Sequence, residues 1–183
     1  MFGNSFPPRP SFGPLTSAQK QRLFGPLRAK DDPKRPGFLI VDPAWRRLQT
    51  RVVEVPQLRG ISGASRDGRV RLHERAVEPF LALWQAWQQA GVLDDVLSWD
   101  GGYVPRRIRG SRSLSSHAFG IAFDINARWN PLGRTPAPAG TTGSVVRLVR
   151  LANRYGFFWG GHFRSRPDGM HFELAASKRL EAS

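Results

Sequence analysis

The 183-residue chain contains no cysteine. That excludes disulfides, thiolate metal ligands and cysteine nucleophiles together, and leaves the compartment open. Histidine is sparse as well: the four are His73, His117, His162 and His171, so any imidazole chemistry rests on very few positions. Acidic residues are in short supply, 14 against 28 lysines and arginines, for a net charge of +14. No uninterrupted apolar run is long enough for a membrane span. The start, Met1 to Pro8, lacks the basic and apolar regions of a secretory signal. Also missing are a phosphate-binding G-x-x-x-x-G-K-[ST] loop, an H-E-x-x-H helix and a G-x-S-x-G nucleophile elbow. Gly60-Ile61-Ser62-Gly63 is too short a likeness to the last of these to mark out a serine.

What is present points to an ordered protein. Hydrophobic residues make up 40% of the chain and six are tryptophans, within the range of globular domains. The length suits one domain with a sizeable core. The basic surface draws the chain towards polyanions, whether nucleic acid, anionic lipid or an acidic cell wall. Residues 1–14, rich in Pro, Gly and Phe, read as an arm. Thr16-x-x-Gln19 reads as a capping box opening a helix that Gly25 ends, and Asp42-Pro43 opens another through about Leu48. Arg51 to Val55 has strand character. Apolar residues at helical spacing from Leu72 to Ala90 predict a long helix, with Gly91 as its stop and a kink or a later start at Pro79. Short strands are expected at 96–99, 121–126 and 170–174, a Pro/Gly loop at 127–143, and a helix capped by Ser144 and closed by Gly156. Helices and strands do not alternate as βαβ units, so the fold class is α+β. Residues 1–69 are expected to form an arm and helices packed on a core of residues 70–183, the whole a single domain and a monomer.

Two stretches carry chemistry. One is Ser115-Ser116-His117-Ala118-Phe119-Gly120-Ile121-Ala122-Phe123-Asp124, and the other is Asp168-Gly169-Met170-His171-Phe172-Glu173. Hydrolytic zinc sites take three protein ligands from His and Asp or Glu and keep a position for water. Gly120 permits a turn that swings the His117 imidazole back over Asp124, and strand alternation puts Asp124 on a polar face beside the small Ala122. His171 comes from a second strand, with Met170 and Phe172 expected to face the core. If the two strands pair, His117, Asp124 and His171 converge on Zn2+. Either stretch alone is as well explained by a loop histidine and a turn carboxylate; both together are not. Such a site also needs a group to move a proton. Asp168 fits from its loop, with Glu173 as rival or as the group orienting His171. Arg106, Arg107, Arg109 and Arg112 precede the site, and a guanidinium there can polarise a carbonyl or hold a carboxylate. His162 is a substrate contact, an alternative ligand or a loop histidine, and His73 reads as structural.

The pattern Ser115-x-His117-x-x-Gly120-x-Ala122-x-Asp124, followed by Asp168-x-x-His171-Phe172-Glu173, resembles the VanY-type zinc peptidases. These comprise D-alanyl-D-alanine carboxypeptidases and the L-alanyl-D-glutamate endopeptidases of phage lysins. The likeness is best to the lysin branch. It extends to Trp99-Asp100-Gly101-Gly102-Tyr103-x-Pro105-Arg106, Asp124-Ile125-Asn126 and Gly156-Phe157-Phe158-Trp159-Gly160-Gly161, over about residues 70–175. The resemblance implies a Hedgehog/DD-peptidase-type fold, a small antiparallel sheet flanked by helices. It implies zinc on His117, Asp124 and His171, Asp168 as the acidic base and Arg106 as the site arginine, with Arg107 an alternative register. Ser115 and Gly120 shape the turn. His162 stands where relatives commonly carry an acidic residue. The implied activity is zinc-dependent hydrolysis of a peptide bond in peptidoglycan stem peptides, with peptidoglycan and its anionic wall polymers as partners. Without a visible signal, the expected setting is that of a phage or prophage lysin, cytoplasmic until released onto the wall. Two rivals are a non-catalytic, zinc-stabilised wall-binding domain and a basic nucleic-acid-binding protein using Pro105 to Arg112. The first has no use for Asp168, and the second would bind DNA salt-dependently without metal.

Overall fold

A computed structural model describes residues 6–176; residues 1–5 of the expected arm and 177–183 of the expected core lie outside the described residues. Helix α1 (Ser17–Phe24) begins at a complete capping box, Thr16 with Gln19, and stops at Gly25. Strands β1 (Ala29–Asp31) and β2 (Leu39–Val41) pair as a short antiparallel ribbon. Asp42 caps α2 (Pro43–Gln49), with Pro43 at its first position. Strand β3 (Thr50–Glu54) pairs antiparallel with β4 (Arg69–His73).

The next helix, α3 (Glu74–Gln89), starts two residues later than the apolar spacing predicts. Leu72 lies in β4, and His73 is the cap: its side chain accepts the Arg75 N–H. Pro79 sits inside α3 and does not end it. Strand β5 (Trp99–Gly101) falls later than the expected 96–99: Val96 closes a single 3-10 turn at Leu93–Asp95, and the strand begins only at Trp99. A one-turn helix α4 (Ser116–Phe119) precedes β6 (Ala122–Ile125). Helix α5 (Val146–Arg154) has Val145 at its cap position, with the Ser144 hydroxyl accepting the Val146 N–H from just outside. Strand β7 (Phe157–Trp159), where only a connecting stretch is expected, and β8 (His171–Leu174) complete the chain.

The central sheet is antiparallel throughout, in the order β5-β6-β8-β7. With the helices beside it, this is an α+β architecture. Alternation along the strands gives the sheet two unlike faces. One carries Phe123, Ile125, Phe172 and Leu174, all buried. Trp99, Phe123 and Phe172 stack in near-parallel succession, at 5.9 and 5.3 Å between ring centroids. Phe80 and Trp87 of α3 meet Phe123 edge-on. Aromatic contacts of this kind contribute about 1 kcal/mol each beyond their area burial. This core holds β6 and β8 in one register, with Asp124 opposite His171 and Ala122 opposite Glu173. The other face therefore presents Asp124, His171 and Glu173 together.

Candidate metal centre

The register does most of the assembly. Residues directly opposite on paired strands have neighbouring side chains on one face, so Asp124 and His171 meet without any loop holding them. His117 arrives from α4. Ser115 caps that turn, accepting the His117 N–H at 3.3 Å, and Gly120 ends it in the left-handed region at φ 74°. A Cβ on Gly120 would also lie 2.8 Å from the His73 backbone nitrogen, so the turn closes directly against β4. The His73 N–H donates to the Gly120 carbonyl at 2.9 Å, which ties the two together.

The hydrogen bonds fix which nitrogen of each imidazole faces inwards. His117 Nδ1–H donates to the Gly102 carbonyl at 2.7 Å, leaving Nε2 with its lone pair. His171 Nε2–H donates to Glu173 Oε2 at 3.3 Å, which turns Nδ1 inwards. His117 Nε2 and His171 Nδ1 then lie 3.1 Å apart, and Asp124 Oδ1 is 3.2 Å from the first and 2.9 Å from the second. Among the described residues these three form the one cluster whose ligand atoms all lie within 4.8 Å of one another. Three lone-pair atoms so close repel unless a cation lies among them. A nitrogen–nitrogen–oxygen donor set of this kind fits a borderline-soft divalent metal.

The electrostatics agree. Burial alone would lower the pKa of His171, but Asp124 and Glu173 raise it to about 10. Burial likewise works against ionised Asp124, yet the two imidazoles hold it well below the usual carboxylate range. The arrangement favours positive charge at its centre, as a proton or as a metal ion.

The cluster forms the floor of a pocket of about 600 Å³. Asp168 lies on its wall, held by its own N–H donating to Gly160 O at 2.9 Å and by its carbonyl accepting His171 N–H at 3.1 Å. The approach is close: a Cβ on Gly160 would come within 2.5 Å of the Asp168 carbonyl. Asp168 Oδ1 is buried with no hydrogen-bond partner. Burial raises its pKa above the ordinary carboxylate value, with His171 opposing the shift. Glu173 behaves differently. Although burial works the other way, His171, Ser116 and Lys20 keep its pKa low, so it stays ionised as an acceptor.

Of the other residues singled out by sequence, Arg106, Arg109 and Ser115 line the pocket. Arg107 instead forms an ion pair with Asp31 at 2.8 Å. His162 is not on the pocket wall. Its Nε2–H donates to the Pro7 carbonyl at 2.8 Å, its ring packs edge-on against Trp159, and Arg9 donates back to its carbonyl. It fastens the N-terminal arm, which also lays Phe6 on Trp159 and Arg9 over Phe158. Met170, expected in the core, lines the pocket instead, because it precedes β8 on the side of His171.

Two residues at the site escape a reading of the sequence. Ser116 is buried, and its hydroxyl donates a short hydrogen bond to Glu173 Oε2. Lys20 of α1 is 4% exposed, and its Nζ reaches the Leu114 carbonyl at 3.0 Å and Ser116 Oγ at 3.4 Å. Their only sequence signals are the place of Ser116 beside His117, and Lys20 lying four residues before the buried Phe24 on one helix face.

Residues 109–174 match the model of a peptidase family described as D-alanyl-D-alanine carboxypeptidase. The match bears out the family resemblance over a narrower stretch than 70–175. It takes in His117, Asp124, Asp168, His171 and Glu173, and leaves Arg106 and α1 outside. No curated protein and no solved structure matches the chain.

Proposed function

From the peptidase match and the cluster at the pocket floor, we propose that the chain is a zinc peptidase cutting a peptide bond in peptidoglycan stem peptides. The observation that carries this reading is the pairing of two features. Three inward lone pairs lie on His117, Asp124 and His171, and beside them is a half-buried carboxylate, Asp168, whose buried Oδ1 has no hydrogen-bond partner. A site that only stabilised the fold would have no need of that second feature.

His117, Asp124 and His171 would hold the metal, with Glu173 fixing the His171 ring. Zinc, when bound, supplies a Lewis acid that brings the pKa of a water towards about 7 and polarises a carbonyl. The remaining work falls to side chains. Asp168 takes the proton of the attacking water on its free oxygen and delivers it to the departing amine, a task suited to a carboxyl whose pKa is raised towards working pH. Arg106 stabilises charge developing on the scissile carbonyl. Arg109, Arg164 and Arg166, which also line the pocket, bind the carboxylates of an anionic stem peptide. The net charge of +14 favours approach to a polyanionic wall.

The test is digestion of purified peptidoglycan, followed by labelling of new amino termini. Release is expected from the wild type and is expected to vanish with a chelator and in Asp168→Ala. Turnover that persists unchanged in both would rule the reading out. Mass spectrometry of the same digest identifies the bond. A chain that retained DNA with no metal dependence and released no termini would support the nucleic-acid reading instead.

A further inference from the structure

We infer that Lys20 is a positioning residue for the metal centre: through Ser116 it fixes the Glu173 carboxylate that orients His171. The inference rests on the metal-centre reading and extends it to an element outside the stretch matched by the peptidase family.

A buried ammonium is costly unless it is paired and hydrogen-bonded. Lys20 occupies a place on α1 where a core residue would ordinarily sit, on the same inward face as Phe24. Besides the Leu114 carbonyl, which Nζ reaches at 3.0 Å, its side-chain partners run in one direction. Nζ donates to Ser116 Oγ at 3.4 Å, the Ser116 hydroxyl donates to Glu173 Oε2, and the same oxygen accepts His171 Nε2–H at 3.3 Å. Ser116 has one proton, and Glu173 takes it, so its lone pair is left facing the ammonium. The donor–acceptor order is therefore set from Lys20 to the imidazole. The end of the series is the tautomer that aims His171 Nδ1 at Asp124 and His117. Removing the ammonium takes away the group that sets the direction of the Ser116 hydroxyl and leaves the Glu173 carboxylate free to turn away from His171. That change loosens the ring. Hydrogen-bonded partners of metal-binding histidines typically contribute about 10–100-fold to metal affinity.

Zinc affinity, read by competition with a chromophoric chelator, tests this without reference to peptidase activity. Lys20→Met is expected to weaken zinc binding about tenfold or more, with loss of the slowly exchanging His171 Nε2–H signal in 15N-imidazole NMR. Because the chain has no cysteine, Lys20→Cys can be alkylated uniquely with bromoethylamine while unfolded, then refolded. This restores an ammonium of near-lysine length, and zinc affinity is expected to return. Should Lys20→Met fail to fold, Ser116→Ala reads the same linkage and is expected to weaken zinc binding and abolish the NMR signal. Zinc affinity within twofold of wild type in a folded Lys20→Met, or in Ser116→Ala, overturns the inference. So does a raised KM with unchanged zinc affinity, which would make Lys20 a substrate contact. Wild-type chain that binds zinc but releases no termini from peptidoglycan defeats the proposed function and leaves this inference standing. Wild-type chain that binds no zinc defeats both.

Discussion

Two carboxylates three and two residues from His171 on its opposite sides end in contrasting states, and environment alone decides this. Asp168 is half-buried, with one buried oxygen that no side chain or backbone group satisfies, while Glu173 accepts from Ser116 and His171. The first is suited to gain and lose a proton; the second is suited to stay charged. Gly120 is as constrained as either. An alanine there would meet both the left-handed backbone and the His73 nitrogen at 2.8 Å. The conformation alone costs about 1–2 kcal/mol, and the contact adds to it. Gly120→Ala is expected to lose at least that much stability in urea denaturation and to weaken zinc binding, since His117 moves with the turn. His117, Asp124 and His171 are legible because strand alternation and one glycine turn suffice to bring them together, and Asp168 is legible from its loop position three residues before His171. Lys20 is not, since α1 is a polar helix and only tertiary packing turns a lysine inwards.

At the scale of elements, the junction of β4 and α3 shows where periodicity misleads. Leu72 satisfies the helical spacing that follows it, yet it pairs with Arg51 in a strand, and the true boundary is marked by a histidine acting as a cap. His73 Nε2–H donates to the Phe24 carbonyl at 3.0 Å, while Nδ1 accepts the Arg75 N–H at 3.1 Å. The second bond requires the neutral ring, because a protonated Nδ1 has no lone pair to accept with; the first survives protonation. Burial, partly opposed by the bond to Phe24, lowers its pKa from 6.5 to about 4. The unfolded chain takes up this proton near pH 6.5 and the folded chain only near pH 4, so acidification across that window favours unfolding. The difference corresponds to about 3 kcal/mol, fully present above the window and lost towards its lower end. His73→Asn keeps a capping oxygen without the titration. Its stability is expected to fall less than that of the wild type between pH 7 and pH 4.5 in urea titrations.

Across the whole molecule, charge and core have separate roles. The aromatic stack that sets the register lies on the sheet face opposite Asp124 and His171, while Arg106, Arg109, Arg164 and Arg166 line the pocket, and Lys20 is the one buried lysine or arginine among the described residues. The consequence of the charge excess is long-range attraction, which salt screens over about 10 Å at 0.1 M and about 3 Å at 1 M. Asp168→Ala, expected to bind peptidoglycan without cutting it, should therefore sediment with sacculi at low salt and be released as salt rises. Retention unaffected by salt would mean that the charge has no part in wall binding. No helix among the described residues is long and apolar enough to cross a membrane.

The arm held by His162 and Trp159, followed by α1 with Lys20, imposes an order on assembly. These residues leave the ribosome well before β7, the strand on which the arm rests. Until β7 is made, Phe6 and Phe12 have no Trp159 and Phe158 to receive them. Until β8 has emerged Asp124 has only β5 beside it, and His171 is missing from the cluster. The cluster of His117, Asp124 and His171 therefore forms only late, and a chain interrupted before His171 lacks one of its three donors.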